Sequence, residues 1–274
     1  MFFGYNTNGF AYHRLEDALA VLAELGYEGV ALTLDHHALN PFAPDLFRQV
    51  NGVRTLLRSY RLKAVIETGA RFLLDSRRKH QPTLVSPGSV ERAYRLEFLQ
   101  RAVYIAAALE APVVSFWSGT PADDAPPDVL MDRLVEGCRA LADTAAEKGV
   151  RLAFEPEPGM FIDTADRFAG LFERVAHPGF GLTIDVGHLH CQGEPIRETF
   201  ERWRGVLWNV HLEDMRRGVH EHLMFGEGEM DFPAILRGLH EIAYAGGVFV
   251  ELSRHGHDAV NVARSALAFL RAVR

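Results

Sequence analysis

Four residues that bind metals or move protons each close an apolar run of the sequence. Glu155 ends VRLAFE, Asp185 ends GFGLTID, His211 ends LWNVH and Glu251 ends VFVE. A carboxylate without a partner is costly to bury, so four such groups are best explained by a shared cation. Three carboxylates and one imidazole form a mostly hard oxygen set. This set favours Mn²⁺, Mg²⁺ or Co²⁺ and leaves Zn²⁺ open. A salt bridge near a barrel rim would explain Glu155 or Glu251 alone equally well, but the quartet is much harder to explain structurally.

More polar chemistry lies in the stretch LWNVHLEDMRRGVHEHLMFGEGEMDF, residues 207–232. It begins as an apolar strand and continues into a segment that contains Asp214, Arg216, His220 and His222. A strand end that leads into a loop with imidazoles, a carboxylate and a guanidinium is typical of a metal or anion site. The alternative is a histidine-rich surface loop.

The elements that must position these residues alternate regularly. The predicted strands are 2–5, 30–34, 63–67, 112–117, 150–155, 181–185, 207–211 and 248–252. Amphipathic spacing predicts helices over 14–25, 44–60, 89–109, 128–148, 164–176, 196–203, 232–244 and 259–273.

Eight strand-helix units predict parallel strands with right-handed crossovers, which close into an α/β (β/α)8 TIM barrel, here one domain of residues 1–274. The carboxyl ends of all strands would then meet at one mouth and bring the quartet together. A doubly wound open sheet is the competing architecture. It would be favoured by a GxGxxG loop after the first strand, where this chain has GYNTNG.

Composition excludes several classes of protein. A net charge of −7 argues against a broad nucleic-acid surface, and no run of about 18 apolar residues predicts a membrane span. The first residues, MFFGYNTNGF, do not resemble a signal peptide, so we expect a cytoplasmic protein. Cys138 and Cys191 form no CxxC pair and are expected to be reduced thiols.

The motifs FEPEP, IDVGH, HLEDMR with its downstream histidine and GEG, and FVEL resemble those of the xylose-isomerase-like TIM barrels over the whole chain. That superfamily contains sugar isomerases and epimerases, inosose dehydratases and metal-dependent apurinic endonucleases. The resemblance implies that Glu155, Asp185, His211 and Glu251 hold one divalent metal. It also implies that the two glutamates move protons and that His188 and Arg216 contact substrate oxygens.

The expected activity is therefore isomerisation or epimerisation of a small sugar, ketose or polyol derivative through an enediolate. Trp117 would stack on the sugar, and Glu157 would bind a hydroxyl group. Packing of a loop by Trp117 and a loop salt bridge of Glu157 are equally good explanations. A lyase of the same superfamily would use the same enediolate, and a homo-oligomer is left open.

Two alternatives come from other classes. A metal-dependent apurinic endonuclease or phosphodiesterase is suggested by His188 and by His220-Glu221-His222, which stands where that branch has Asp-x-His. His220 and His222 are accordingly candidates for a second metal or for substrate. Against this, the fourth strand ends without a histidine and the chain is acidic. The other alternative is a non-catalytic binding protein that keeps a metal to capture its ligand.

A long basic loop follows the third strand. It contains Arg71, Arg77, Arg78, Lys79 and His80. Loops of this length over a barrel mouth often act as lids, so we expect it to cover the site and to favour an anionic substrate. A solvated surface or a subunit contact is the alternative.

Overall fold

The computed structural model describes residues 1–273. Its strands are β1 Phe2–Asn6, β2 Gly29–Thr33, β3 Lys63–Glu67, β4 Val113–Phe116, β5 Arg151–Phe154, β6 Phe180–Asp185, β7 Leu207–Leu212, β8 Asp214–Arg216, β9 Val219–Leu223 and β10 Gly247–Val250. Its α-helices are α1 Leu15–Leu25, α2 Leu46–Tyr60, α3 Ser89–Leu109, α4 Pro127–Glu147, α5 Ala165–Val175, α6 Val186–Gln192, α7 Ile196–Trp203, α8 Phe232–Glu241 and α9 Ala259–Val273. Short 3-10 turns cover Thr7–Phe10 and Gly256–Asp258.

Eight strands form a closed barrel in the order β1-β10-β7-β6-β5-β4-β3-β2, with β8 and β9 as a separate two-stranded sheet. The barrel pairs are parallel; Gly4 lies opposite Gly29 between β1 and β2, and Val114 opposite Leu152 between β4 and β5. Parallel neighbours need the crossover helices that the alternating pattern predicted. The TIM-barrel prediction is confirmed, and the open-sheet alternative is wrong because the sheet closes.

The chain divides into two compact units. One comprises Met1–Leu32, Val53–Ala64 and the chain from Leu182 onward, and its buried side chains include Leu19, Leu22, Phe200 and Leu239. The other comprises Thr33–Gly52 and Val65–Gly181. Its core contains a run of aromatic rings with centroids 5.3 to 5.8 Å apart. These rings are Phe116, Phe154, Phe168 and Phe180. That residues 1–274 make one domain stays a prediction.

Local signals mark several helix ends. Gly26 takes a left-handed φ of 95° directly after α1, as expected of a glycine stop, and Thr164 caps α5 by accepting a hydrogen bond from the backbone of Arg167. The helix predicted to reach residue 244 ends earlier, at Glu241.

Two elements around the site were not predicted. The short helix α6 starts where Asp185 accepts a hydrogen bond from the backbone N–H of His188. Its sequence VGHLHCQ has no apolar period, so the cap alone indicates it. The second element is the hairpin β8–β9, which turns at Gly218 with φ 74° and carries His220 and His222 on β9 rather than on a loop. β8 has only three residues, too few for a strand pattern.

Among residues 1–273, no helix has the length and apolar character needed to cross a membrane.

Candidate metal centre and active site

The four predicted ligands lie at or directly after successive strand ends. Asp185 ends β6 and lies opposite His211 of β7, Glu155 follows β5, and Glu251 follows β10. One ligand atom from each of the four lies within 4.8 Å of the others. Glu155, Asp185 and His211 are buried, and Glu251 is partly exposed. The structure thus brings the quartet together, while its role in binding metal stays a prediction.

The carboxylate of Glu251 is fixed at both oxygens. Asn8 donates its side-chain amide to Oε1 at 2.7 Å, and Nδ1 of His211 lies 3.0 Å from Oε2. Burial opposes the charged form of Glu251, but His211 and His222 together outweigh burial and lower the pKa of Glu251 to about 2. Glu251 is therefore ionised at neutral pH, and Asn8 and His211 orient it. Asn8 was missed in the sequence, although it lies two residues beyond β1 and the strand-end rule would have included it.

His211 is held from its other nitrogen as well. The side-chain amide of Asn209 donates to Nε2 at 3.1 Å, so Nδ1 carries the hydrogen and donates to Glu251. For Nδ1 to bind a metal, this proton must leave, and the Asn209 amide must turn so that its oxygen accepts Nε2–H. Partners of this kind fix ring orientation and tautomer in metal sites. Asn209 lies on the same face of β7 as His211, two residues earlier.

Asp185 has one oxygen that accepts an N–H group and one that does not. Oδ1 accepts the backbone N–H of His188 at 3.0 Å. Oδ2 is buried and accepts no hydrogen bond from an N–H or hydroxyl group among residues 1–273, although Nε2 of His188 lies 3.5 Å from it. Burial alone would raise the pKa of Asp185, but His188 and His222 hold it below its usual value. Asp185 is therefore a buried carboxylate whose charge is compensated by His188, by His222 and by a hydrogen bond with Glu213.

Glu213 is a second buried acid that the sequence reading missed. Its side chain is fully buried, and neither carboxyl oxygen accepts a hydrogen bond from an N–H or hydroxyl group among residues 1–273. Ligand atoms of Glu213, Asp185 and His222 lie within 4.8 Å of one another. Burial, followed by the charge of Asp185 and a hydrogen bond between the two carboxyl groups, raises the pKa of Glu213 well above its usual value. Its position directly after β7, in the motif HLED, was the sequence feature that could have identified Glu213 as a site residue.

Three imidazoles form a neighbouring group. The ring centroids of His188 and His220 are 4.7 Å apart, and those of His220 and His222 are 5.5 Å apart. A ring nitrogen from each of the three lies within 4.8 Å of the others. Nδ1 of His222 donates to the backbone oxygen of Glu251 at 3.0 Å, which leaves Nε2 as an acceptor. Burial lowers the pKa of His188 to about 4, so its imidazole is neutral at neutral pH. Neutral imidazoles are metal ligands.

Asp214, next to Glu213, is structural. Its two oxygens accept the backbone N–H groups of four residues at 2.8 to 3.2 Å. The donors are Met215, Gly226, Gly228 and Met230. A side chain at Gly228 would collide with Asp214, and Gly226 takes a φ of 90°. The GEG motif is therefore explained by a loop that wraps a buried carboxylate.

These residues fit a divalent cation. Asp185 and Glu213 present neighbouring buried oxygens that accept no N–H or hydroxyl group, and two such acids are destabilising unless a shared proton or a cation compensates them. The oxygen-rich set with one or more imidazoles suits Mn²⁺, Mg²⁺ or Co²⁺, and the imidazoles also suit Zn²⁺.

Three further residues were predicted to contact the substrate, namely Arg216, Trp117 and Glu157. Arg216 is exposed on β8, and its guanidinium donates to the backbone oxygen of Glu227 at 2.9 Å. Trp117 is buried directly after β4. Glu157 is half-buried in a turn closed by its own backbone groups with Met160 and Ile162. Their roles in binding substrate stay predictions.

Comparison with known proteins gives consistent matches. The family model described as xylose isomerase-like TIM barrel matches residues 19–273. The chain is 24% identical over 239 residues to an L-ribulose-5-phosphate 3-epimerase of Salmonella paratyphi A, covering 86% of this chain and 81% of that protein. The D-allulose 3-epimerase of Methylomonas sp. superposes with a TM-score of 0.80 at 20% identity, over 100% of this chain and 98% of its own. The 3-keto-D-glucoside 4-epimerase of E. coli superposes with a TM-score of 0.81 at 16% identity, over 99% of both chains.

Proposed function

Because the chain belongs to the xylose isomerase-like TIM barrel family, we propose that it is an enzyme that epimerises a small sugar and uses one divalent metal ion. The names of its relatives support sugar epimerisation. The single observation that carries the proposal is the convergence of Glu155, Asp185, His211 and Glu251 within 4.8 Å. Four such groups repel one another or compete for protons unless a cation neutralises them.

The metal would be held by these four residues. When bound, such an ion supplies Lewis-acid polarisation of the substrate's carbonyl and neighbouring hydroxyl oxygens. Oδ2 of Asp185, which accepts no N–H group, is one ligand position that the chain itself offers. The carboxylates favour Mn²⁺, Mg²⁺ or Co²⁺, and the imidazole of His211 also suits Zn²⁺.

Protons are moved by Glu155 and Glu251. Both carboxylates follow barrel strands, so each is fixed by its backbone position as well as by its contacts. Asn8 and His211 hold Glu251 ionised, which is the form that accepts a proton from the carbon next to the carbonyl. One glutamate removes that proton and the other returns one to the opposite face, which inverts the carbon. Return to the neighbouring carbon would give isomerisation.

The test is hydrogen exchange with solvent. Ketopentoses and ketohexoses, with and without phosphate, are incubated in D₂O with protein loaded with each metal in turn. The expected result is deuterium at the carbon next to the carbonyl, together with the epimer. Hydrolysis of a phosphodiester and simple ligand binding do not exchange this hydrogen. Epimer formed without solvent deuterium would count against the two-glutamate mechanism.

The three imidazoles are the observation that favours the phosphodiesterase alternative. His188, His220 and His222 could hold a second ion, and two-metal sites suit phosphodiester cleavage. That function requires more than one ion per chain and cleavage of abasic DNA, and one ion with sugar turnover would decide against it. A cytoplasmic location and a homo-oligomer stay predictions.

A further inference from the structure

Arg95 is a cation buried without an acidic partner. It lies on α3 and is 1% exposed. Its guanidinium carbon lies 4.3 Å from the ring centroid of Trp117 and 5.0 Å from that of Phe98. Nη2 donates to the backbone oxygen of Thr68 at a long 3.4 Å. Nη1 is buried and has no hydrogen-bond partner among residues 1–273, and no acidic group within that part of the chain acts on the pKa of Arg95.

A guanidinium buried in this way destabilises the folded protein. A buried charge without a counterion costs several kcal/mol, and a cation–π contact returns only about 2 kcal/mol or slightly more. The cost is visible in the pKa of Arg95, which burial alone lowers to about 9. Arg95 is still charged at neutral pH, so the charge is retained at a cost to stability. A ligand that brings a negative charge to Arg95 would explain why the protein retains this buried cation.

The position of Arg95 connects it to the reacting end of the barrel. Thr68 directly follows β3 and Trp117 directly follows β4, just as Glu155 directly follows β5. Carboxyl ends of the strands in a TIM barrel bear the active site. Thr68, Arg95, Trp117 and Glu155 all belong to the unit that contains Val65–Gly181.

The surroundings of Trp117 are electropositive. The ring of His80, from the basic loop, lies 5.0 Å from the Trp117 ring. Burial, followed by the charges of Lys79, Arg95 and Arg71, lowers the pKa of His80 to about 3. Every charged group that acts on His80 in this way is a cation. This pattern matches a site whose counterion arrives with a ligand.

We propose that Arg95 binds an oxyanion carried by the substrate, either a phosphate ester or a carboxylate, and that the enzyme therefore acts on an anionic sugar. The inference rests on the proposed sugar epimerase function and specifies its substrate class. A guanidinium with an unused Nη1 suits both groups, because both accept paired N–H donors. The fold places the oxyanion beside Trp117, at the ends of β3 and β4.

Other arginines nearby do not meet these conditions. Arg78 of the same basic loop is half-exposed and is paired with Asp75 at 2.7 Å and Glu91 at 3.2 Å. Arg101, six residues further along α3, is paired with Glu97 at 2.8 Å. Arg101→Gln is therefore a matched control on the same helix, since it removes a guanidinium that already has its counterion.

The first experiment needs no turnover. Inorganic phosphate and acetate are titrated by calorimetry into metal-loaded wild type, Arg95→Met, Arg95→Lys and Arg101→Gln. The wild type and Arg101→Gln are expected to bind alike. Arg95→Met is expected to lose about 10- to 100-fold in affinity, the size of a charge-assisted hydrogen bond, and Arg95→Lys less. Wild type that binds neither anion, or Arg95→Met that binds like wild type, overturns the inference. If Arg95→Met does not fold, the wild type and Arg95→Lys decide.

The second experiment compares substrates. Specificity constants are measured for a ketopentose, its phosphate ester and a keto sugar acid of similar size. Preference for one anionic form over the neutral sugar is expected in wild type and Arg101→Gln, and a loss of that preference in Arg95→Lys; which form is preferred identifies the oxyanion. Epimerisation without anion binding would overturn this inference and leave the proposed function intact. Anion binding that depends on Arg95, without epimerisation of any sugar, would overturn the proposed function instead.

Discussion

The carboxyl group of Glu213 fills the space that Gly187 leaves by having no side chain. A Cβ atom at position 187 would collide with Oε1 of Glu213 and would press on the Sδ-methyl end of Met215. Gly187 lies in the first turn of α6, directly behind Asp185, so the glycine lets two acids of the site approach each other. The IDVGH motif therefore contains a steric requirement as well as a ligand.

Gly187→Ala should be destabilising. The new methyl group displaces Glu213, and overpacking of this kind typically costs about 1–3 kcal/mol. Denaturant unfolding of the metal-free protein measures it. Gly170→Ala in α5 is the matched control, because no atom would lie within 4 Å of its Cβ; it should be neutral or stabilise by about 0.5–1 kcal/mol. Equal effects of the two substitutions would show that the Glu213 contact is unimportant.

Asp214→Asn should loosen the segment from residue 224 to residue 230. The amide keeps the volume of Asp214 but cannot accept all four backbone N–H groups, and we expect a loss of about 2–4 kcal/mol. Amide hydrogen exchange should become faster at Gly226 and Gly228. Asp231→Asn is the control, since Asp231 accepts one N–H as the cap of α8 and asparagine caps helices as well. Unchanged protection of the two glycines would contradict the structural role of Asp214.

The polar residues at the strand ends could be predicted from the sequence. The residues that contact or surround them could not. Glu155, Asp185, His211 and Glu251 stand out because each is a lone polar residue closing an apolar run. Arg95 looks like one more charged residue on a helix, and only the packing of Trp117 and Phe98 around it shows that it is buried. The same holds for the contacts of Asn8, since no local pattern pairs it with a residue 243 positions away.

His80 should make the protein less stable in acid. Its pKa is 6.5 when unfolded and about 3 when folded, mainly because of burial. Below pH 6.5, His80 binds a proton in the unfolded chain but not in the folded chain. The free energy of unfolding therefore falls as the pH drops from 6.5 towards 3. His80→Phe keeps a ring against Trp117 without this proton. Relative to wild type, the variant should gain up to about 2 kcal/mol between pH 6.5 and pH 4, measured by denaturant unfolding. A difference that does not vary with pH would refute the assignment.

Metal binding should depend on Asp185 and His211. Asp185→Asn removes the charge of a carboxylate whose Oδ2 accepts no N–H group, and His211→Gln removes the imidazole next to Glu251. Both variants should lose bound divalent metal on dialysis, with elemental analysis as the measurement. His190→Gln is the control, because His190 pairs with Glu229 outside the quartet. Undiminished metal in both Asp185→Asn and His211→Gln would exclude the proposed ligand set.

Glu251→Gln should separate proton transfer from metal binding. The amide keeps the volume of the carboxylate and one acceptor oxygen for Asn8, but it is not a base. Removal of a general base typically lowers the rate about 10²- to 10⁴-fold. Because a weakened metal site would give the same loss, metal content must be measured in the same samples, and only variants that still carry metal are compared.

Each glutamate should then control one face of the reacting carbon. In Glu251→Gln, one epimer of the substrate should no longer exchange its hydrogen with D₂O. In Glu155→Gln, the other epimer should no longer exchange. The physical reason is that a carboxylate fixed to one strand end reaches one face of the enediolate only. Nuclear magnetic resonance of each epimer, incubated separately, follows the exchange. If a metal-loaded Glu155→Gln protein were fully active, Glu155 would not be a base, and a single residue would have to serve both faces.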